Sequence, residues 1–496
     1  MLPMSVLIVG TFMSVLDTSI VNVAVPKIQV ELSAAPDDVE WVVTGYTLVL
    51  GIVVPLSGWL GERIGMTRLY ILSMVGFALA SALCGMAWDL GSMIVFRVVQ
   101  AIPGGILPVV TMTMLFLVVP QDRMGSAMGI YGLGVVVAPA VWPVLGGYLV
   151  EYVDWRLIFF INVPIGVLGT VAALAVFPRV RPTTWPRFDV WGFVTIAYGL
   201  FALLLATSEG QSWGWDGYRI RGLIVSGVLS LALFVVIELE VDNPLIDLRI
   251  FRVWAYTNSI ILLGVAVTGL FTVLYFVPQF LQIVQGLQAL ESGLVLVPSA
   301  LILLVLMPVA GRLYDRFGPR WPVVVGLLIM AYGSFLMADI TPDTPRVDLQ
   351  LWTTIRNLGT GLAMMPIFTA GITALPPSLT SAGSGMNNVM QRVASSIAVA
   401  IFGSLGASSA AQLMYDRGSL LATGAQALPQ VAAATDQGAP GLLGMYQALN
   451  LRVLTQTYTN GFYAVGILCV GGAVLALLLP SGSPSRGNGE PMAIEM

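Results

Sequence analysis

The chain has no histidine, two cysteines, and charge on only 10% of its 496 residues. Without histidine there are no imidazole metal ligands, histidine general bases or histidine proton relays, so proton chemistry falls to carboxylates. Cys84 and Cys469 lie inside apolar runs, and two such residues make neither a disulfide framework nor a zinc site. Soluble domains carry charge on about a quarter of their residues, so this scarcity of charge excludes a water-soluble fold. No basic patch supports nucleic-acid binding, no GxxxxGK[ST] loop supports direct ATP drive, and no polar linkers divide the chain into soluble domains. The opening residues lack the basic start and small-residue cleavage site of a secretory signal, so the first apolar segment reads as a retained membrane helix. A net charge of −4 identifies no partner.

What fills the chain is apolar: 57% hydrophobic residues, with a mean hydropathy of +0.89. A bilayer span takes about 20 mostly apolar residues. Segments of that kind centre near residues 14, 50, 78, 105, 137, 167, 198, 230, 267, 303, 329, 362, 396 and 468. The predicted fold class is therefore an all-α polytopic membrane protein with 14 transmembrane helices. A polar, Ala/Gln/Gly-rich stretch, about 412–457, is predicted to be an extracytoplasmic loop. Loops on one side, from Arg63 to the tail residue Arg486, hold twelve basic residues. The other side holds seven: Lys27, Arg156, Arg219, Arg221, Arg346, Arg417 and Arg452. The positive-inside bias places both termini in the cytoplasm.

Inside the first apolar segment stands a carboxylate, Asp17, in "SVLDTSIVNVAVPKI". Intramembrane ionisable residues are costly and mark functional sites by default. At 1.5 Å per residue, Asp17 lies roughly 13 Å below the outer boundary near Pro26, and Arg97, on a helix running the other way, roughly 9 Å below it. The two can meet. Burial favours the neutral carboxyl and a neighbouring cation favours the charged one, the balance a proton carrier needs. The alternative is that Asp17 only hydrogen-bonds neighbouring helices through Thr18, Asn22 or Arg97. Arg392 falls close to the midplane of the thirteenth span with no carboxylate partner evident. It either faces a cavity and attracts an anionic group or bonds to freed carbonyls. Arg356, nearer an outer end, is predicted to snorkel or cap locally, with a place in the cavity as the alternative.

Two loops repeat. "GWLGERIGMTR" from Gly58 and "GRLYDRFGPR" from Gly311 share G-x-L-x-[acid]-R-x-G at an offset of 253 residues. A fainter echo links "RVVQAIPGGILP" from Arg97 with "RNLGTGLAMMP" from Arg356. Internal repeats in a polytopic chain are a transporter signature, with the binding site between the repeats.

These stretches carry a resemblance. "GWLGERIGMTR" resembles motif A of the major facilitator superfamily, "RVVQAIPGG" its motif B, and "APAVWPVLGGYL" from Ala138 its motif C, the antiporter signature. "LDTSIVNVAVPKI", "WRLIFFINVPIG" from Trp155, "YFVPQFLQIVQG" from Tyr275 and "GSGMNNVMQRVASSIAVA" from Gly383 are similar to the fourteen-helix drug:proton antiporters of multidrug efflux type. The resemblance covers nearly the whole chain. It implies two six-helix halves, 1–180 and 251–480, two additional linker helices within 181–250, and a cytoplasmic tail, 481–496. Departures are Glu62 for the usual aspartate and Met66 and Thr67 for basic residues of motif A, Ala101 for a glycine of motif B, and Trp142 for the glycine before Pro143.

The candidate site residues follow. Asp17 and Arg97 are assigned to proton coupling; Asn22, Tyr46, Gln100, Tyr131, Tyr275, Asn387, Asn388 and Arg392 to the substrate cavity. Gly58, Glu62, Arg63, Gly65, Pro139, Pro143, Gly146, Gly147, Asp315 and Arg316 are assigned to gating, with Glu62–Arg63 and Asp315–Arg316 as conformational latches. No metal site and no cofactor are expected. The predicted function is a proton-driven exporter, not an enzyme, exchanging a small hydrophobic or amphiphilic substrate for a proton by alternating access in a bacterial inner membrane. The alternative is a dedicated exporter of an anionic amphiphile, lipid or secondary metabolite. Partners are substrate, protons and the lipid bilayer, with accessory export proteins unassigned.

Overall fold

The computed structural model describes residues 2–177, 187–210, 212–215, 217–398 and 439–482. Its long helices are α1 (Leu2–Glu31), α2 (Trp41–Val53), α3 (Leu56–Ile64), α4 (Met66–Gly85), α5 (Leu90–Val118), α6 (Met124–Tyr152), α7 (Leu157–Val176), α8 (Val190–Glu209) and α9 (Tyr218–Glu240). They continue with α10 (Trp254–Gln279), α11 (Ala289–Phe317), α12 (Arg320–Met337), α13 (Arg346–Thr373), α14 (380–398) and α15 (Ala439–Ala476). A helix covers each of the fourteen expected centres, and no strand occurs among the described residues. Nine helices among them are long and apolar enough to cross a membrane, ten when α2 and α3 count as one span bent by 57°. Pro55 sits at that bend, where its missing N–H and its ring interrupt the ladder.

Local signals set the helix ends. Asp89 caps α5: its carboxylate accepts from the Ser92 amide at 2.6 Å, and the Ser92 hydroxyl accepts from the Asp89 amide at 3.1 Å. That reciprocal pair satisfies two amides the helix would otherwise leave open. Asp189 caps α8 through the Gly192 amide at 2.9 Å. The repeated loops turn alike, with Gly65 ending α3 at φ 91° and Gly318 ending α11 at φ 76°. Both lie in the left-handed region that favours glycine, and they are 253 residues apart.

In the first half α1, α4, α5, α6 and α7 pack together, with α2 against α5. In the second, α10, α11, α12, α13 and α15 do the same. The halves meet along α6 and α11, and α8 and α9 form a hairpin whose α8 lies against α2. The extra pair is thus fastened to the flank of the first half. Of the predicted loop 412–457, residues 439–457 are helical and form the leading turns of α15; the stretch to 438 lies outside the described residues.

Candidate functional site

Asp17 is fully buried and paired with Arg97, itself 1% exposed. Arg97 Nη1 donates to Asp17 Oδ2 and, at 2.8 Å, to Gln100 Oε1, while Nε donates to the Val42 carbonyl at 3.3 Å. Gln100 Nε2 donates to Asp17 Oδ1 at 2.9 Å and to the Ser81 hydroxyl at 3.1 Å. Asn162 Nδ2 donates to Ser81 at 3.0 Å and reaches Asp17 Oδ1 at 3.4 Å. The guanidinium lies over the Tyr46 ring, 3.8 Å from its centroid. Five helices, α1, α2, α4, α5 and α7, thus converge on one carboxylate.

An ion pair so buried stabilises little against an apolar replacement, because desolvating both charges consumes the Coulomb gain. Removing one partner leaves the other charge uncompensated, at a cost of about 3–5 kcal/mol. Neutralising either charge of the pair therefore changes the balance of the whole cluster.

Several expected positions move. Gln100, assigned to the cavity wall, is fully buried in this cluster, because three residues on from Arg97 it shares that helical face. Tyr46 is likewise buried, under the guanidinium. Tyr131 belongs to the apolar core. Asn387 is turned into the second half, where its Oδ1 accepts from Tyr256 at 3.4 Å, and Asn388 donates to the Ser384 carbonyl at 2.9 Å on its own helix. Tyr275 is half-buried beside Phe276. Arg392 is half-buried on α14 and within electrostatic range of Tyr46. The side chains of Asn22, Pro139, Trp142, Pro143, Gly146 and Gly147 lie outside what is described, although all six positions are helical.

Arg356 does not snorkel; it is fully buried. Nε donates to Ser334 at 2.9 Å, Nη2 donates to the Gly269 carbonyl, and Nη1 has no partner among the described residues. Ser334 stands 253 residues from Ser81, the repeat offset. Arg356, 259 residues beyond Arg97 and on the equivalent fourth helix, is its counterpart in the second half, with a glycine carbonyl on that half's first helix where the first half supplies Asp17.

The two repeated loops behave differently. The Asp315 carboxylate accepts from the Gly125 amide at 2.8 Å, the Ser126 amide at 2.9 Å and the Ser126 hydroxyl at 2.6 Å. These are the open amides at the start of α6, so the last turn of α11 caps a helix of the other half. Below it, a methyl added at Gly129 would sit 2.7 Å from the Met307 carbonyl; the helices approach that closely only without a side chain. Gly58 faces Ser381 of the second half, 3.3 Å from an added methyl to the hydroxyl. Glu62, expected to latch like Asp315, is instead exposed; Arg63 lies over its own Trp59 ring at 5.0 Å and Arg316 over Phe317 at 5.2 Å. Glu62 ends a helix that meets the second half through Gly58, so its own position lies beyond the contact.

Sequence reasoning passed over Ser81 and Asn162, though Asn162 stands in the quoted "WRLIFFINVPIG". It also missed that Asp189 and Glu238, on the two helices of the extra hairpin, are both buried and reach the same point above Gly192. Glu238 accepts there from the Leu245 amide at 3.2 Å and the Ile246 amide at 3.4 Å.

The profile of the Major Facilitator Superfamily matches residues 7–399. The chain is 32% identical over 410 residues to the tetracenomycin C resistance and export protein of Streptomyces glaucescens, covering 82% of this chain and 76% of that protein. It is 31% identical over 395 residues to the multidrug export protein EmrB of Escherichia coli K12, covering 79% and 77%. Among solved structures, the proton:xylose symporter XylE superposes with a TM-score of 0.62 at 14% identity, covering 96% of this chain and 95% of that one. The FucP transporter in its outward conformation superposes at 0.60 and 12%, covering 95% and 98%. The chain belongs to the major facilitator superfamily, as a multi-pass membrane protein whose relatives include drug and antibiotic exporters.

Proposed function

We propose that the chain is a proton-driven secondary exporter that exchanges a cytoplasmic hydrophobic or amphiphilic compound for an incoming proton, with both termini in the cytoplasm of a bacterial inner membrane. The observation that carries this is the Asp17–Arg97 pair, a carboxylate with no exposure held by an arginine, a glutamine and an asparagine. Protonating Asp17 removes the charge that compensates Arg97, and the cluster must then rearrange or take up a new partner. A ligand moves an equilibrium only through differential affinity for its states, so proton and substrate have to favour different arrangements of the halves. The contacts of α6 with α11 supply an element that can be made or broken between two such arrangements. The export named for the relatives supports the direction of transport.

The test is substrate-induced proton flux in proteoliposomes, wild type beside Asp17→Asn, with cationic, neutral and anionic amphiphiles. Substrate-driven flux in the wild type that is lost in the variant is the expected result. Undiminished coupled flux in Asp17→Asn would overturn the assignment. A second reading, export dedicated to an anionic amphiphile, is favoured by Arg392, a half-buried guanidinium outside the ion pairs found among the described residues. Activity confined to anionic compounds would select it.

A further inference from the structure

The extra hairpin holds two buried acids that the Asp17 exchange does not use. Asp189 stands at the start of α8 and Glu238 two residues before the end of α9, so the pairing of these helices brings both to one end of the hairpin. Asp189 is 8% exposed and Glu238 4%. Asp189 Oδ1 accepts from the Gly192 amide, which leaves Oδ2 without a partner among the described residues. Oδ2 lies 2.1 Å, and Glu238 Oε1 2.9 Å, from the single point that a methyl on Gly192 would occupy. The two oxygens therefore border one spot, which glycine leaves open, and a small rotation brings them into hydrogen-bond contact.

No cation answers them. Among the described residues neither acid forms an ion pair. Asp247 of the linker faces the same end but pairs with Arg249 at 3.7 Å, while Glu62 of α3, Glu240 and Arg187 are exposed. Phe188, beside Asp189, packs against Trp59 of α3 with ring centroids 4.7 Å apart and shields that side. Two carboxylates in contact away from water do not both ionise, because the like charges repel and neither is solvated. The amides of Gly192, Leu245 and Ile246 donate to three of the four oxygens, surroundings that suit a carboxyl paired with a carboxylate. A hard metal ion takes six or more oxygen ligands, and no third His, Cys, Asp or Glu joins these two among the described residues.

We propose that Asp189 and Glu238 share one proton, held between Asp189 Oδ2 and Glu238 Oε1, as a second proton site that fastens the hairpin to the linker entering the second half. Glu238 also holds the Leu245 and Ile246 amides, at the head of the stretch that runs through Leu248–Arg252 into α10. With the proton bound, one hydrogen bond joins α8, α9 and this linker. When the proton leaves to water, two adjacent charges push apart and the linker loosens. The extra pair of helices thus sets, by the pH at that end, how firmly the first helix of the second half is tethered. The site shares no residue with the Asp17 cluster, so it stands whether or not Asp17 carries the exchanged proton.

The test is an infrared pH titration of the full chain in phosphatidylcholine nanodiscs, in an Asp17→Asn background so that Asp17 contributes no carboxyl band. The C=O stretch of one protonated carboxyl is expected at neutral pH, lost in alkali. Asp189→Asn and Glu238→Gln are each expected to remove that band at neutral pH, because the amide takes the proton's place and the proton belongs to the pair. Asparagine caps a helix as well as aspartate, so the hairpin is kept. A band that survives either replacement unchanged puts the proton on one acid alone and overturns the proposal, as does the absence of any band. A titration that moves with added sodium or magnesium puts a metal cation there and overturns it too. Should Asp17→Asn fail to fold, the difference between wild type and Glu238→Gln with Asp17 in place reads the same band. The linker is followed separately through Ile246, 2% exposed. Ile246→Cys should react with N-ethylmaleimide at least tenfold faster once the proton is lost, relative to Ser212→Cys at an exposed position, and Glu238→Gln should keep it slow at every pH. A ratio that stays constant across the titration refutes the fastening. Neither measurement needs transport or a proton gradient, so failure here is distinct from failure of the Asp17 test.

Discussion

Replacing Asp315 by asparagine should release the contact that holds α6 against α11. The carboxylate accepts three hydrogen bonds from the opposite half, at 2.8, 2.9 and 2.6 Å. Hydrogen bonds to a charged group contribute about 1.5–3 kcal/mol each, and a carboxylate at a helix N-terminus adds about 0.3–1 kcal/mol. The amide keeps one acceptor, and in the separated state water recovers part of the carboxylate's interactions. The net loss is therefore about 2–4 kcal/mol, a shift of roughly 30- to 900-fold in the equilibrium between closed and parted ends at about 1.4 kcal/mol per decade. Ser381, 8% exposed and opposite Gly58 at the same end, is the reporter. A cysteine there should react with a water-soluble maleimide at least tenfold faster in Asp315→Asn. Ser126→Ala, which loses only the hydroxyl bond to the same carboxylate, should raise the rate about tenfold, as about 1.5 kcal/mol requires. An unchanged rate in Asp315→Asn with the protein folded would refute the latch.

The buried pair predicts a double-mutant cycle: Asp17→Asn and Arg97→Gln each lower thermal stability, while the double variant loses clearly less than their sum, since each single change strands a buried partner worth about 3–5 kcal/mol; additive losses in melting temperature would contradict this. Arg356 predicts the opposite sign from Arg97. Among the described residues it has no carboxylate to strand and its Nη1 has no partner, so Arg356→Met should hold or raise the melting temperature, whereas Arg97→Met lowers it. Asp89 predicts a pH dependence: the Ser92 amide and hydroxyl hold its carboxyl below the usual carboxylate range. A depressed folded value means the contribution is present above the ordinary carboxylate value and is lost as pH falls through the folded one. The melting difference between wild type and Asp89→Ala should therefore be constant at neutral pH and vanish in strong acid, and a difference that persists there undiminished would count against the cap.

How much of this could be read from the chain depends on which question is asked of a helix. Position along the axis was legible, because the rise per residue is fixed: depth alone brought Asp17 to Arg97. Rotation about the axis was not. A membrane helix is apolar on every side, so the periodicity that shows which face a soluble helix buries is silent here, and the direction in which Tyr46 and Asn387 turn was not readable. Gln100 was readable, since three residues from Arg97 it had to follow it. Ser334 was readable too, by applying the 253-residue offset to Ser81. The burial of Arg356 was not, because it depends on a carbonyl 87 residues away, at Gly269. Nor was the meeting of Asp189 and Glu238, which no spacing on a single helix encodes.

The repeat is informative where it fails. Both halves bury an arginine on their fourth helix, and both offer a serine from their third to the surrounding cluster. Only the first half answers with a carboxylate. At the matching place the Gly269 carbonyl accepts from Arg356, and a methyl on Gly269 would lie 2.9 Å from the tip of that guanidinium, which would have to shift to admit a side chain there. The first helix of the second half, residues 254–279, holds no Asp or Glu at all, so nothing on it can match Asp17. Two halves that titrated alike would respond to a proton in the same way, with nothing to favour one arrangement over the other. If Asp17 carries the proton, this difference lets a single protonation act on one half only, and the Asp315 contact between α11 and α6 is where that half engages the other. Gly269→Asp, combined with Arg356→Met to make room, would restore the symmetry of carboxylates while leaving Asp17 and Arg97 untouched. The expected result is proton flux no longer matched to substrate flux, and flux that stays matched would show that coupling does not depend on the asymmetry.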